Sequence, residues 1–230
     1  MPASALISGG TGGLGSAVTR AFLDAGWRVV VPIFDETERE RVPAHERLLL
    51  EPADLSDPAS AQAVAALAAG DAAAPLRAVV NLVGGFAEGE RVHATPVEDF
   101  EAQLRLNLRP TYLVCQAALT HLLAGGGGAI VCVSSRAALR PFAGAAGYIV
   151  GKAAVLAFVD ALATEYRQDD IRVNAILPSV IDTPANRRSQ PGADHSRWVR
   201  PEQIAEVVRF LCEDGSGVIS GAHVPVYGRA

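Results

Sequence analysis

Ser8-Gly9-Gly10-Thr11-Gly12-Gly13-Leu14-Gly15 is the stretch on which the fold turns. It follows Ala5-Leu6-Ile7-Ser8, a short apolar run that reads as a strand, and leads into a helical pattern from about Ser16 to Ala25. Glycines let a backbone turn tightly and come close to a bound pyrophosphate. The helix after the loop offers free N–H groups and its positive dipole end to the phosphates. Any tight turn uses glycine, so composition alone is weak. The position between a first strand and a first helix is the context a nucleotide loop requires.

Working outward, short β-branched runs alternate with alanine-rich stretches. Strands are predicted at Arg28–Phe34, Leu48–Leu50, Ala78–Val83, Ala129–Ser134, Ile171–Ile176 and near His223–Val226. Helices are predicted from Asp57-Pro58 through Ala69, over Val97–Ala124, from about Gly147 to Tyr166, and over Pro201–Cys212. Such alternation predicts an α/β, doubly wound fold, with a parallel sheet of about seven strands and helices on both faces. The run Gly125–Gly128 reads as a helix stop and turn, leaving residues 1–230 as one domain.

Composition narrows the function classes. Of 230 residues 50% are hydrophobic, with a net charge of −5, so the chain can offset its ordering entropy and fold. Asp and Glu number 25 against 20 Lys and Arg, which argues against a nucleic-acid surface. Cys115, Cys132 and Cys212 are odd in number and widely spaced, so they suit neither a disulfide framework nor a metal site. His45, His93, His121 and His223 show no metal-ligand spacing either, and no metal is expected. A reducing cytoplasm is the expected location. The N-terminus lacks signal-peptide features, and the apolar stretch Ala145–Val159 is interrupted by Lys152, so no membrane association is expected.

The chemistry centres on Tyr148-Ile149-Val150-Gly151-Lys152. Residues four apart share a helix face, so an ammonium lies near a phenol. A phenol near pKa 10 is a poor base at neutral pH, and a nearby positive charge lowers that value. Ser135 lies thirteen residues before Tyr148, at the end of the predicted fifth strand in Val131-Cys132-Val133-Ser134-Ser135. Strand carboxyl ends face the ligand crevice in an open parallel sheet. A hydroxyl there can stabilise charge on a reacting oxygen.

The spacing Gly-x-x-x-Gly-x-Gly, with Ser, twelve intervening residues, Tyr, three more and Lys, resembles the short-chain dehydrogenase/reductase family. The resemblance implies a single Rossmann-like domain binding NAD or NADP and moving a hydride between it and a carbonyl or secondary alcohol. It implies Ser135, Tyr148 and Lys152 as catalytic residues, with Asn107 supporting a proton relay; Asn107 also reads as a polar residue stabilising a helix kink, and the two roles are compatible. For the cofactor it implies Gly9, Thr11, Gly13, Leu14 and Gly15, then Asp54 and Leu55 near the adenine. It further implies Asn81 and Gly84 after the fourth strand, Tyr148 and Lys152 at the nicotinamide ribose, and Pro178, Ile181 and Thr183 after the sixth strand. The long helices 97–124 and 147–166 resemble those that pair across the family's dimer interface, and Ser220–Gly228 resembles the segment buried in its tetramers, which implies a homotetramer, otherwise a homodimer.

The chain also departs from the family pattern. The position that selects NAD or NADP falls at Ile33, followed by Phe34 and Asp35, so the cofactor preference stays open. In Asp35-Glu36-Thr37-Glu38-Arg39-Glu40-Arg41 the charged residues, Arg39 and Arg41 included, read as a solvated helix face. Ser179 stands where glycine is usual, which questions the local backbone. The segment 184–200 reads as a short, polar substrate lid. Phe86, Arg136 and Trp198 are candidate substrate contacts, with Trp198 equally an anchor for a surface loop. Two alternatives remain: a non-catalytic NAD(P)-binding sensor or scaffold, and an epimerase or dehydratase of the same family.

Overall fold

The computed structural model describes residues 3–229. Seven parallel strands form one sheet: β1 (Ser4–Ser8), β2 (Arg28–Ile33), β3 (Leu48–Pro52), β4 (Leu76–Asn81), β5 (Gly128–Val133), β6 (Ile171–Pro178) and β7 (His223–Val226). Their spatial order is β3-β2-β1-β4-β5-β6-β7. The direction of winding reverses between β1 and β4, so a crevice opens at their carboxyl ends, where an open α/β sheet binds its ligand.

Alternate side chains of the strands feed two cores. Leu6, Val30, Val79 and Ile130 pack under α2 (Pro58–Ala69), α4 (Arg109–Ala124) and α5 (Ala146–Glu165). Ala5, Ile7, Val29, Val31 and Val80 pack under α1 (Gly15–Asp24) and α7 (Pro201–Cys212) on the other face. A sheet buried on both sides explains why its strands read as nearly continuous apolar runs.

Three elements differ from expectation. The helical stretch 97–124 is two helices, α3 (Val97–Asn107) and α4, meeting at Leu108. Pro110 is the cause: it lacks an N–H and its ring crowds the carbonyl four residues back, so a continuous helix cannot pass. The segment after β6 keeps a short helix, α6 (Pro184–Ser189), started by Thr183, whose hydroxyl accepts from the Asn186 N–H at 3.2 Å. The third concerns hydropathy, since α5, with its single Lys152, is long and apolar enough to cross a membrane. In the fold its inner side is buried on the sheet, with Val155, Val159 and Leu162 in the core.

Candidate active site

The glycine loop lies against the start of α1. Gly9 holds φ +70, in the left-handed region that glycine enters without strain. A Cβ on Gly15 would stand 1.9 Å from the Gly9 carbonyl oxygen, so loop and helix are packed as closely as backbone allows. Thr183, reaching over from the end of β6, leaves room only for hydrogen at Gly13, where a Cβ would sit 2.8 Å from its methyl. Among the described residues no side chain caps α1, and its first turn carries no acid. Free N–H groups at an uncapped, uncharged helix start, fronted by glycines, fit a pyrophosphate.

The side chains of the other expected cofactor residues are used in different ways. Leu14 precedes α1, and Pro178 ends β6. The Ile181 carbonyl accepts from Asn186 Nδ2 at 2.8 Å, which fixes the entry to α6. Asp54 accepts from the Ser56 N–H at 2.8 Å, while Leu55 is buried. Asn81 is turned into the interior, where it accepts from the Ser8 hydroxyl at 3.3 Å and donates to Cys115 Sγ at 3.2 Å. Ser179 has no positive φ and donates to the Tyr227 carbonyl at 2.7 Å, so the usual glycine is not needed there. The Thr11 hydroxyl donates to the carboxylate of Glu38, a residue that sequence reasoning places on a solvated face.

The four expected catalytic side chains converge at the carboxyl ends of β4 and β5. Ser135 follows β5 and accepts from the Ala137 N–H at 3.1 Å, which aims its hydroxyl from the start of a 3-10 turn. Its neighbour Ser134 is buried and donates to the Lys152 carbonyl at 2.7 Å, a purely structural bond. Tyr148 enters on the first turn of α5, and Lys152 stands one turn later. Lys152 Nζ donates to the Val133 carbonyl at 3.1 Å. A Cβ on Gly84 would meet Asn107 Oδ1 at 2.7 Å and Lys152 Nζ at 2.8 Å, so this glycine lets lysine and asparagine close in together. Asn107 sits at the α3–α4 break, where its Nδ2 donates to the Gly85 carbonyl at 3.0 Å and its Oδ1 accepts from the Gly85 N–H at 3.2 Å.

Burial acts on both titratable groups of the set. Burial pushes the Tyr148 phenol above its ordinary value, and the Ser135 hydroxyl beside it pulls the other way. The Lys152 ammonium is itself desolvated, which pushes it down to about 8, and it is engaged by the Val133 carbonyl.

Around Tyr148 the walls are aromatic. Phe86 meets its ring edge to face at 5.1 Å, and Phe142 stands 6.1 Å from Phe86. Phe86 is 57% exposed and Phe142 47%, so both faces are open to a ligand. Sequence reading missed Phe142; its place in the loop between Ser135 and Tyr148 was the available signal. The Arg136 guanidinium lies over the Tyr227 ring at 5.3 Å. Trp198 is 9% exposed and packs on His195 at 4.3 Å, which suits an anchor for 184–200 better than an open substrate contact. No cluster suited to a metal ion occurs among the described residues.

A dinucleotide loop at the winding reversal, with hydroxyl, phenol and ammonium gathered beside it, defines an NAD(P)-dependent oxidoreductase acting on alcohols or carbonyls. The chain belongs to the short-chain dehydrogenase/reductase family. A family model described as enoyl-(acyl carrier protein) reductase matches residues 9–228. The chain is 32% identical to 2-(R)-hydroxypropyl-CoM dehydrogenase of Xanthobacter autotrophicus, covering 95% of this chain and 94% of that protein. It is 31% identical to cis-4-hydroxycyclohexanecarboxylate dehydrogenase of Sinomonas cyclohexanicum, over 97% and 94% of the two chains. Among solved structures it resembles a 3-ketoacyl-(acyl-carrier-protein) reductase from Brucella melitensis complexed with NADH. That match has a TM-score of 0.88 and 28% identity, and covers 98% of this chain and 97% of that one.

Proposed function

We propose that Tyr148 is the acid/base of this oxidoreductase and that Ser135, Lys152 and Asn107 serve it. The observation that carries this reading is the convergence of the four side chains where β4 and β5 end. NAD(P)(H), when bound, gives or accepts the hydride. For reduction, the Tyr148 phenol donates its proton to the carbonyl oxygen; burial favours the protonated form that this direction requires. The Ser135 hydroxyl donates to the same oxygen and stabilises its developing charge. Lys152 holds the nicotinamide ribose, and Asn107 anchors the route by which the phenol regains its proton. Gly9, Gly13, Leu14 and Gly15 hold the pyrophosphate. Asp54 and Leu55 border the adenine, and the backbone at Asn81, Gly84, Pro178, Ile181 and Thr183 borders the remainder of the cofactor.

The substrate lies between Phe86 and Phe142, so the part flanking its carbonyl is apolar, with Arg136 near the far side. The segment 184–200 covers it. The exposed Tyr112 of α4 and the outer side of α5 suit a contact between subunits, and a homotetramer is the assembly we propose, in the cytoplasm.

The test pairs wild type with Tyr148→Phe on panels of ketones and secondary alcohols, read at the nicotinamide absorbance band. Turnover is expected to fall about 100- to 10,000-fold in the variant, with NAD(P)H binding retained by fluorescence titration. Equal turnover in both would overturn the assignment and favour a different acid/base. Binding without any turnover in wild type would favour a sensor or scaffold.

A further inference from the structure

The cofactor preference has no charged residue at its usual place. β2 ends at Ile33, which is buried, and Phe34 is 79% exposed. Asp35 is spent on the turn after the strand, accepting from the Thr37 N–H at 2.8 Å. The backbone then coils through a 3-10 turn, Glu36–Arg41, and brings Glu38 back over the glycine loop. Its carboxylate accepts from the hydroxyl of Thr11, which is buried within that loop. The Glu38 side chain is 18% exposed against 64% for Glu36, so it is held inward and not left in solvent.

The cations of the same turn do not stand in this corner unopposed. Arg39 is paired with Glu36 and donates to the Leu50 carbonyl at 3.0 Å. Arg41 lies 3.8 Å from Glu38, where it already answers the carboxylate. A dinucleotide whose pyrophosphate rests on residues 9–15 places its adenosine ribose between that loop and the end of β2. A carboxylate there accepts hydrogen bonds from a free 2′,3′-diol. A 2′-phosphate in the same place sets about two negative charges beside a third, partly shielded from water.

We propose that Glu38, oriented by Thr11, selects NAD(H) over NADP(H) in this chain. The proposal rests on the glycine loop being the pyrophosphate site, and it moves the selecting carboxylate five residues beyond its usual position at Ile33.

The test is equilibrium binding of NADH and of NADPH, followed by nicotinamide fluorescence, to wild type, Glu38→Gln and Glu38→Ala. Wild type is expected to bind NADH at least about tenfold tighter, with the ratio shrinking as salt screens the repulsion. Glu38→Gln is expected to close the ratio about tenfold, mainly by tightening NADPH, and Glu38→Ala to do the same. Near-equal affinities in wild type, or a ratio unmoved in both variants, would overturn the role of Glu38 while leaving the glycine loop as the binding site. Failure of wild type to bind either dinucleotide would overturn both.

Discussion

Lys152 combines two demands that conflict. A reaction centre needs its ammonium among apolar walls, yet burial disfavours the charged form and pushes it down to about 8. Between that value and about 10.4 in the unfolded chain, the unfolded state binds more protons, so stability rises with pH across this window. Below about 8 both states are protonated, and the folded protein carries the full cost, on the order of 3 kcal/mol for a shift of this size. Lys152→Met is therefore expected to melt higher than wild type at pH 7 while losing activity. The advantage should narrow steadily towards pH 10.5, as followed by thermal denaturation. A difference in melting that is independent of pH would show that desolvation of the ammonium is not its source.

The loop and helix proposed to receive the pyrophosphate are joined by backbone contact. Gly15 begins α1 where a methyl group would overlap the Gly9 carbonyl, at 1.9 Å. Gly15→Ala must then open the loop, and NADH affinity is expected to drop by at least about tenfold, a 1.4 kcal/mol loss. Calorimetric titration checks this, with Gly12→Ala as the control, since its Cβ would approach nothing nearer than 3.3 Å.

Elements also show what a sequence reader can and cannot see. The strands are legible because burial on both faces forces apolar runs, and the β1–α1 glycine loop because its spacing has few other uses. The break at Leu108 is legible as a kink at Asn107 but not as the end of a helix, although Pro110 announces it, because the apolar pattern runs on through α3 and α4. Ser135, Tyr148 and Lys152 can be found since fixed spacings place them on one strand end and one helix face. Glu38 cannot. A run of alternating charges looks solvated until the 3-10 turn, a matter of local backbone path, folds one carboxylate back onto Thr11. The inward hydrogen bonds of the Asn81 side chain are equally hidden, because Ser8 and Cys115 lie far from it in sequence.

At the scale of the whole molecule, the sheet separates two tasks. On the proposed function, β1 to β3 carry the dinucleotide end and β5 and β6 the reacting end, in a sheet where β4 stands between β1 and β5. The proposed assembly uses a third surface. Tyr112 on α4 is 46% exposed and lies 5.7 Å from Phe158 of α5, an aromatic pair that a monomer leaves partly in water. Tyr112→Glu is expected to shift the sedimentation coefficient towards smaller species, with circular dichroism unchanged. A wild type already monomeric at micromolar concentration would remove the assembly.

The rigidity of α5 bears on how such a chain can diversify. Tyr148 and Lys152 share one rod, and each residue inserted between them would rotate the rest of the helix by about 100°. Lineages therefore cannot lengthen or shorten this helix between the two and keep both groups in register. The segment 184–200 is under no such constraint, since it is tied back by the Ile181–Val199 bridge and the anchor at Trp198. On the proposed function, new specificities have room to arise by insertion there, while the proton-transfer apparatus is inherited whole.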